Sequence, residues 1–125
     1  MPDKCRVMIV DDEKNFTESL QLAIEDQFHV STVHTLEHAR REIGKGTPDV
    51  ILLDLRLPDG DGLELLREVK ASSEPPIVLI LTAFATIESF ITAASLGAED
   101  YVTKPLDVER LKMQIHKYVT ARARG

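Results

Sequence analysis

The chain has 125 residues, of which 43% are apolar, and a formal net charge of −6. This length and apolar content suit one globular domain, and they exclude a disordered chain or two domains of ordinary size. The acids are concentrated in residues 1–62, where 13 acids stand against 7 bases, and this excess disfavours direct binding of nucleic acid.

Nothing in the sequence points to a membrane or to an oxidising compartment. No apolar run approaches the roughly 18 residues that a membrane span needs. The N-terminal stretch MPDKCRVMIV lacks the long apolar segment of a signal peptide. Cys5 is the only cysteine, which excludes an internal disulfide and fits a reducing compartment. We therefore expect a cytoplasmic protein.

Short apolar runs alternate with amphipathic segments five times along the chain. The runs are rich in Val, Ile and Leu, which is typical of parallel strands buried on both faces. They predict strands at residues 6–10, 30–33, 50–53, 77–81 and 101–102.

Apolar residues at helical spacing follow each predicted strand, which indicates five amphipathic helices. Asp107 is placed to cap the last of them. In chain order, the five apolar sets are Phe16, Leu20, Ala23 and Ile24; Leu36, Ala39 and Ile43; Leu65, Leu66 and Val69; Ile87, Ile91 and Ala94; and Val108, Leu111, Ile115, Tyr118 and Val119.

Strict alternation of strand and helix predicts a doubly wound α/β domain, with a parallel sheet between two layers of helices. In such sheets, ligands bind beyond the carboxyl ends of the strands. The residues that end the strands are therefore the first candidates for a functional site.

Polar residues end four of the predicted strands. Asp11 and Asp12 follow the first strand and Asp54 the third, while Thr82 and Lys104 follow the fourth and fifth. In a parallel sheet, these side chains gather at one edge. A carboxylate nucleophile beside a fixed cation and a hydroxyl donor can receive a phosphoryl group, because that transfer depends mainly on positioning and charge neutralisation.

Three carboxylates at one edge repel each other, and a bound cation relieves the repulsion. Oxygen ligands without His or Cys favour a hard ion. Mg2+ fits best, since it takes one or two carboxylates together with water and phosphate oxygens. His34 and His38 are four residues apart, but no third ligand is evident, so we expect a polar surface there rather than a zinc site.

Four motifs lie in register along the chain: IVDDE (9–13), LLDLRLPDGDG (52–62), LTA (81–83) and LGAEDYVTKP (96–105). With these motifs, the chain closely resembles the receiver domain of bacterial two-component response regulators. The resemblance covers nearly all of residues 1–125. It implies a flavodoxin-like (βα)5 fold whose five-stranded parallel sheet has the order 2-1-3-4-5.

The resemblance also implies roles for the residues at the strand ends. Asp54 matches the phosphoacceptor, and Thr82 matches the hydroxyl that contacts the phosphoryl group. Lys104 matches the family's lysine, and its bond to Pro105 aligns with a cis bond. Tyr101 matches an aromatic switch residue whose ring turns inward on phosphorylation.

Two further implications concern the metal and the lifetime of the phosphorylated state. Asp11, Asp12, Asp54 and the backbone carbonyl of Arg56 match the family's Mg2+ ligands. Arg56 and Phe84 lie two residues beyond Asp54 and Thr82, at positions that flank the phosphoryl group in the family. We expect both side chains to restrict the attacking water and so to lengthen the lifetime of the phosphoaspartate.

The implied function is a signalling switch rather than an enzyme, although the domain assists its own phosphorylation and dephosphorylation. A histidine kinase or a phosphotransfer protein supplies the phosphoryl group. The surface of the fourth helix, fifth strand and fifth helix passes the change to an output domain, which we expect to control transcription. Phe90, on the fourth helix, either enlarges an apolar patch on this surface or belongs to the core. A homodimer formed on phosphorylation, a stand-alone receiver and a phosphorelay component remain open.

Residues 120–125 read as the start of a linker to a further domain. A Mg2+-dependent phosphatase of the haloacid type is the alternative from another class, but it needs a second acid where this chain has Arg56. Pro58-Asp59-Gly60 is typical of a turn, and we expect neither Asp59 nor Asp61 to belong to the site.

Overall fold

The computed structural model describes residues 4–124, which form a five-stranded parallel sheet with helices on both faces. No helix in this part of the chain is long and apolar enough to cross a membrane. The elements are β1 (Arg6–Val10), α1 (Lys14–Ile24), β2 (His29–Val33), α2 (Leu36–Lys45), β3 (Val50–Leu53), β4 (Arg56–Leu57), β5 (Gly60–Asp61), α3 (Gly62–Lys70), β6 (Ile77–Thr82), α4 (Ile87–Ser95), β7 (Asp100–Thr103) and α5 (Val108–Arg124).

The strand order of the main sheet is β2-β1-β3-β6-β7, and all neighbouring pairs are parallel. Since β6 and β7 are the fourth and fifth predicted strands, this confirms the flavodoxin-like order 2-1-3-4-5. The sequence did not indicate β4 and β5, which form a separate two-stranded antiparallel ladder directly after the central strand. Each of these strands has only two residues, which is too few to show a recognisable alternation of apolar and polar side chains.

The sheet divides the core into two clusters of buried side chains. One lies under α2, α3 and α4, and it includes Leu36, Leu66 and Ala93. The other lies under α1 and α5, and it includes Leu20 and Leu111. Because β1, β3 and β6 contribute to both clusters, their central residues are apolar on both faces, as the continuous Val, Ile and Leu runs predicted.

Side chains cap four of the helices. The predicted cap of α5 is present, since the backbone N–H of Arg110 donates to Asp107 Oδ1 at 3.2 Å. Asp61 caps α3 in the same way, accepting from Leu63 N–H at 2.9 Å. Thr86 begins α4 in a reciprocal capping box, and Thr35 begins α2.

Asp59 does more than the turn chemistry expected of it. Its carboxylate accepts hydrogen bonds from the N–H groups of Leu36 and Glu37, at 2.8 and 3.0 Å, and so caps α2 from a loop more than 20 residues away. These bonds hold the pKa of Asp59 below its usual value. The loop after β3 is thereby tied to the neighbouring helix.

Helix α4 exposes the face that its periodicity predicted to be buried. Ile87 and Ile91 are 80% and 60% exposed, and Ala94 is exposed as well. The one buried residue of α4 is Ala93. Phe90 is also exposed, so it lies on the surface rather than in the core. Periodicity predicted the helix correctly but not which side of it meets the sheet.

Helix α5 extends to Arg124, so residues 120–124 are helical. Gly125 lies outside the described residues, as do residues 1–3. Among the described residues, the peptide bond between Lys104 and Pro105 is cis, as predicted.

Candidate functional site

Asp11 and Asp54 lie side by side because sheet-like hydrogen bonds continue past the strand ends. The N–H of Asp11 donates to Val33 O at 3.1 Å, and the N–H of Asp54 donates to Val10 O at 2.9 Å. Both side chains are buried, and Asp54 is only 4% exposed. With the exposed Asp12, they form a group whose carboxylate oxygens lie within 4.8 Å of one another. The structure therefore brings together the three predicted acids.

The carboxyl group of Asp11 is in an environment that opposes its ionisation. Burial raises the pKa of Asp11, and the charge of Asp54 adds to the rise. The hydrogen bonds from Lys104 and from the N–H of Glu13 offset this effect only in part. An additional positive charge beside these acids would lower that energetic cost.

Lys104 is the positive charge that already lies beside these acids. Its Nζ lies 2.5 Å from Asp11 Oδ2, 3.5 Å from Asp54 Oδ2 and 3.3 Å from Glu13 Oε1. Burial acts to lower the pKa of Lys104, but the hydrogen bond and charge of Asp11, with the charge of Asp54, outweigh it, so the pKa lies above its usual value. The ammonium group is therefore protonated at neutral pH.

The acids fit a hard divalent cation. Asp11, Asp12 and Asp54 together carry three carboxylates, and Lys104 can balance only one of them. Oxygen ligands of this kind suit Mg2+. Within residues 4–124, they form the only group of three or more His, Cys, Asp or Glu side chains close enough to share a metal ion. His34 instead contacts Thr17 Oγ1 at 3.3 Å, which gives the zinc alternative no support.

Thr82 lies at the end of β6 with its side chain fully buried. Its Oγ1 accepts a hydrogen bond from the N–H of Phe84 at 3.1 Å, which leaves the hydroxyl proton available to another acceptor. The carbonyl of Thr82 accepts from the N–H of Lys104 at 3.0 Å. One residue thus holds both the loop after β6 and the loop after β7.

Arg56 and Phe84 form a stacked pair beside the site. The guanidinium carbon of Arg56 lies 4.1 Å from the centroid of the Phe84 ring. The N–H of Arg56 points to Asp54 Oδ1, at 3.4 Å. Both residues line a surface cavity of about 590 Å3 between the loops after β3 and β6. Sequence spacing placed each residue near Asp54, but it did not indicate that the two side chains touch.

Tyr101 connects β7 to the start of α4. Its hydroxyl lies 2.6 Å from Ser89 Oγ, and Ser89 is also part of the capping box with Thr86. The Phe90 ring meets the Tyr101 ring edge-on, with centroids 5.4 Å apart. The half-buried tyrosine therefore contacts the helix that carries the exposed side chains of Ile87, Phe90 and Ile91.

Gly62 is a residue that sequence reasoning left without a role. A Cβ at this position would collide with the backbone carbonyl oxygen of Asp54. The N–H of Gly62 also donates to Leu55 O at 2.8 Å, which closes the loop after β3 against the start of α3. The final glycine of the motif LLDLRLPDGDG was the available signal. The reason that a glycine is needed there, its close approach to the backbone of Asp54, is visible only in the fold.

The chain is similar to known proteins in both sequence and fold. The response regulator receiver domain family model matches residues 7–116. The transcriptional regulatory protein TrcR of Mycobacterium tuberculosis is 39% identical over 107 residues, which cover 85% of this chain and 42% of TrcR. This chain therefore spans less than half the length of that relative.

Solved structures give the same result for the fold. The response regulator DrrB of Thermotoga maritima, an OmpR/PhoB homolog, is 28% identical with a TM-score of 0.86, covering 96% of this chain and 54% of DrrB. A CheY-like receiver domain protein from Methanospirillum hungatei shares the fold with a TM-score of 0.93 at 24% identity, covering 98% of each chain.

Proposed function

The chain belongs to the response regulator receiver domain family of two-component systems, and from that premise we propose that Asp54 accepts a phosphoryl group from the phosphohistidine of a histidine kinase or a phosphotransfer protein. The observation that carries the proposal is the position of Asp54, a buried carboxylate beside two other acids with the Lys104 ammonium 3.5 Å away. A purely structural aspartate needs no such surroundings.

In the proposed transfer, a carboxylate oxygen of Asp54 forms a bond to phosphorus while the bond between phosphorus and the donor imidazole breaks. The imidazole leaves as the neutral group after taking up a proton. Asp11, Asp12, Asp54 and the backbone carbonyl of Arg56 would hold Mg2+, which neutralises charge on phosphoryl oxygens when bound. Lys104 adds a second positive charge, and the Thr82 hydroxyl donates to the phosphoryl group.

The phosphoryl group adds a charge of about −2 at Asp54, and this charge changes which contacts around Asp54 are favourable. Reversing a 1:99 conformational equilibrium to 99:1 requires about 5.5 kcal/mol. One hydrogen bond to a charged group contributes about 1.5–3 kcal/mol, so at least two must act together. Thr82 and Lys104 are the two groups that would supply them, and Tyr101 would turn inward as Thr82 moves toward the phosphoryl group.

The Arg56–Phe84 stack would control how long the phosphoaspartate lasts. The two side chains lie against each other beside Asp54, where they can obstruct the approach of water. Replacing either residue with alanine should therefore speed dephosphorylation. An unchanged or slower rate in both variants would contradict this assignment.

The output is proposed to be control of transcription through an output domain. The relative TrcR is a transcriptional regulatory protein, and this chain spans 42% of it. The surface of α4, β7 and α5 would pass on the signal, because Ile87 and Ile91 expose apolar side chains there. Dimerisation on phosphorylation would use the same surface, and the setting would be the cytoplasm. A stand-alone receiver or a phosphorelay component would use the same chemistry at Asp54.

The decisive experiment is intact-mass measurement after incubation with acetyl phosphate and Mg2+. We expect a gain of one phosphoryl group that is absent from Asp54→Asn and absent when EDTA replaces Mg2+. Asp61→Asn is the matched control, because asparagine caps a helix as well as aspartate does and the Asp61 carboxylate accepts its hydrogen bond from Leu63 of α3. Equal labelling of Asp54→Asn would show that the acceptor is another residue.

A further inference from the structure

Phe16 is a residue of α1 that the proposed chemistry does not use. Lys104 Nζ lies 4.1 Å from the centroid of the Phe16 ring. We propose that the face of this ring is a positioning surface for the Lys104 ammonium, which holds the charge beside Asp54 for the incoming phosphoryl group. The assignment rests on the proposed function of Asp54.

Lys104 has carboxylate partners on both the buried and the exposed side. Its ammonium group is shared among Asp11, Asp54 and Glu13, and the Glu13 side chain is 64% exposed and free to draw the lysine outward. A cavity of about 510 Å3 adjoins the lysine, with Glu13 and Ser19 on its wall. The lysine side chain thus has both room and polar partners away from Asp54.

The Phe16 ring opposes that displacement. The negative face of an aromatic ring attracts a cation within about 6 Å of its centroid, and the attraction strengthens when the cation is shielded from water. The Lys104 side chain is only 10% exposed, so it meets this condition. The ring is itself held in place, because Phe16 packs against the buried cluster under α1 and α5.

An aliphatic side chain at position 16 would fill much of the same space without attracting the ammonium. An aliphatic substitution therefore distinguishes two roles of Phe16, which are the positioning of the Lys104 charge and the filling of space. Lys104 acts on the charge that develops on the phosphoryl oxygens, and a preorganised cation stabilises that charge without being rearranged during the reaction. Loss of the ring should therefore slow transfer to Asp54 even if the fold is intact.

The test compares Phe16→Leu, which removes the ring, with Phe16→Tyr, which keeps it. With acetyl phosphate and Mg2+, we expect Phe16→Leu to label about 2- to 30-fold more slowly and Phe16→Tyr to label at nearly the wild-type rate. Leu22→Ala, an exposed change on the same helix, is the control and should leave the rate unchanged. Urea unfolding of each variant verifies that it is folded.

A second readout does not depend on phosphorylation. In NMR spectra, the Lys104 ε-methylene protons should be shifted upfield by the ring in the wild type and in Phe16→Tyr, and this shift should disappear in Phe16→Leu. Wild-type labelling by Phe16→Leu, or equal slowing of a folded Phe16→Tyr, would overturn the proposal. If wild-type Asp54 is not labelled at all, the proposed function fails, and the upfield shift alone then decides whether Phe16 holds the lysine.

Discussion

Helices α3 and α4 each have nine residues and lie on the same face of the sheet, yet the core holds them very differently. α3 buries four residues, among them Leu65 and Leu66, whereas α4 buries only Ala93. The large side chains of Ile87 and Ile91 lie on the outer side of α4. A helix can therefore be rich in apolar residues without burying them, and this is the case for α4.

The two helices therefore differ in how easily each can move. α3 is anchored by the core, but α4 depends more on local bonds such as the Thr86 capping box and the contact between Ser89 and Tyr101. Segments with little buried surface open at a lower free energy than the core. α4 is therefore the helix of this face that can shift at the lowest cost, and Tyr101 contacts it directly.

Truncating the anchor of α3 should have the largest effect on stability. Leu66 is fully buried, and Leu66→Ala removes apolar contacts and leaves a cavity in the cluster under α2, α3 and α4. We expect the free energy of unfolding to fall by about 2–5 kcal/mol, measured by urea titration. A loss below about 0.5 kcal/mol, the usual range for surface changes, would mean that α3 is not the anchored helix of the pair.

Removing the cap of α4 should cost less. Thr86→Ala deletes the hydroxyl that accepts from the N–H of Ser89 at 3.0 Å, and we expect a loss of about 0.5–2 kcal/mol in the free energy of unfolding. Amide hydrogen exchange in α4 should also become faster. Ser95→Ala, at the opposite end of the same helix, is the matched control, and an equal effect there would argue against a special role for the cap.

α2, the third helix on this face of the sheet, is held at its start by the carboxylate of Asp59. Because the pKa of Asp59 is lowered in the folded protein, its contribution to stability is present above the unfolded value and is lost as pH falls through the folded one. Urea titrations of wild type and Asp59→Asn should therefore differ at neutral pH and converge below about pH 4. A difference that does not depend on pH would exclude the carboxylate charge as its cause.

The smallest effect is expected on the outer face of α4. Ile91→Lys places a charge where the side chain is already 60% exposed, so the free energy of unfolding should change by no more than about 0.5 kcal/mol. Labelling of Asp54 by acetyl phosphate should also be unchanged. A large destabilisation, measured by the same urea titration, would mean that Ile91 is packed after all.

The fold and the acids of the site could be predicted from local patterns. Continuous apolar runs marked the strands, and parallel strands place their carboxyl ends at one edge, so Asp11 and Asp54 had to lie close together. The ladder of β4 and β5 could not be predicted, because each strand has only two residues. The buried side of α4 was also beyond reach, because both of its sides carry apolar residues.

The alternation of strands and helices and the chemical groups that end the strands depend on residues close together in the chain, so the sequence predicts both. The cap that Asp59 gives to α2, the contact between the Phe16 ring and Lys104 and the close approach of Gly62 to the backbone of Asp54 arise only when the chain packs. Most of these contacts join segments that are distant in sequence. All of them depend on how close the packed elements come and from which direction, which no local pattern encodes.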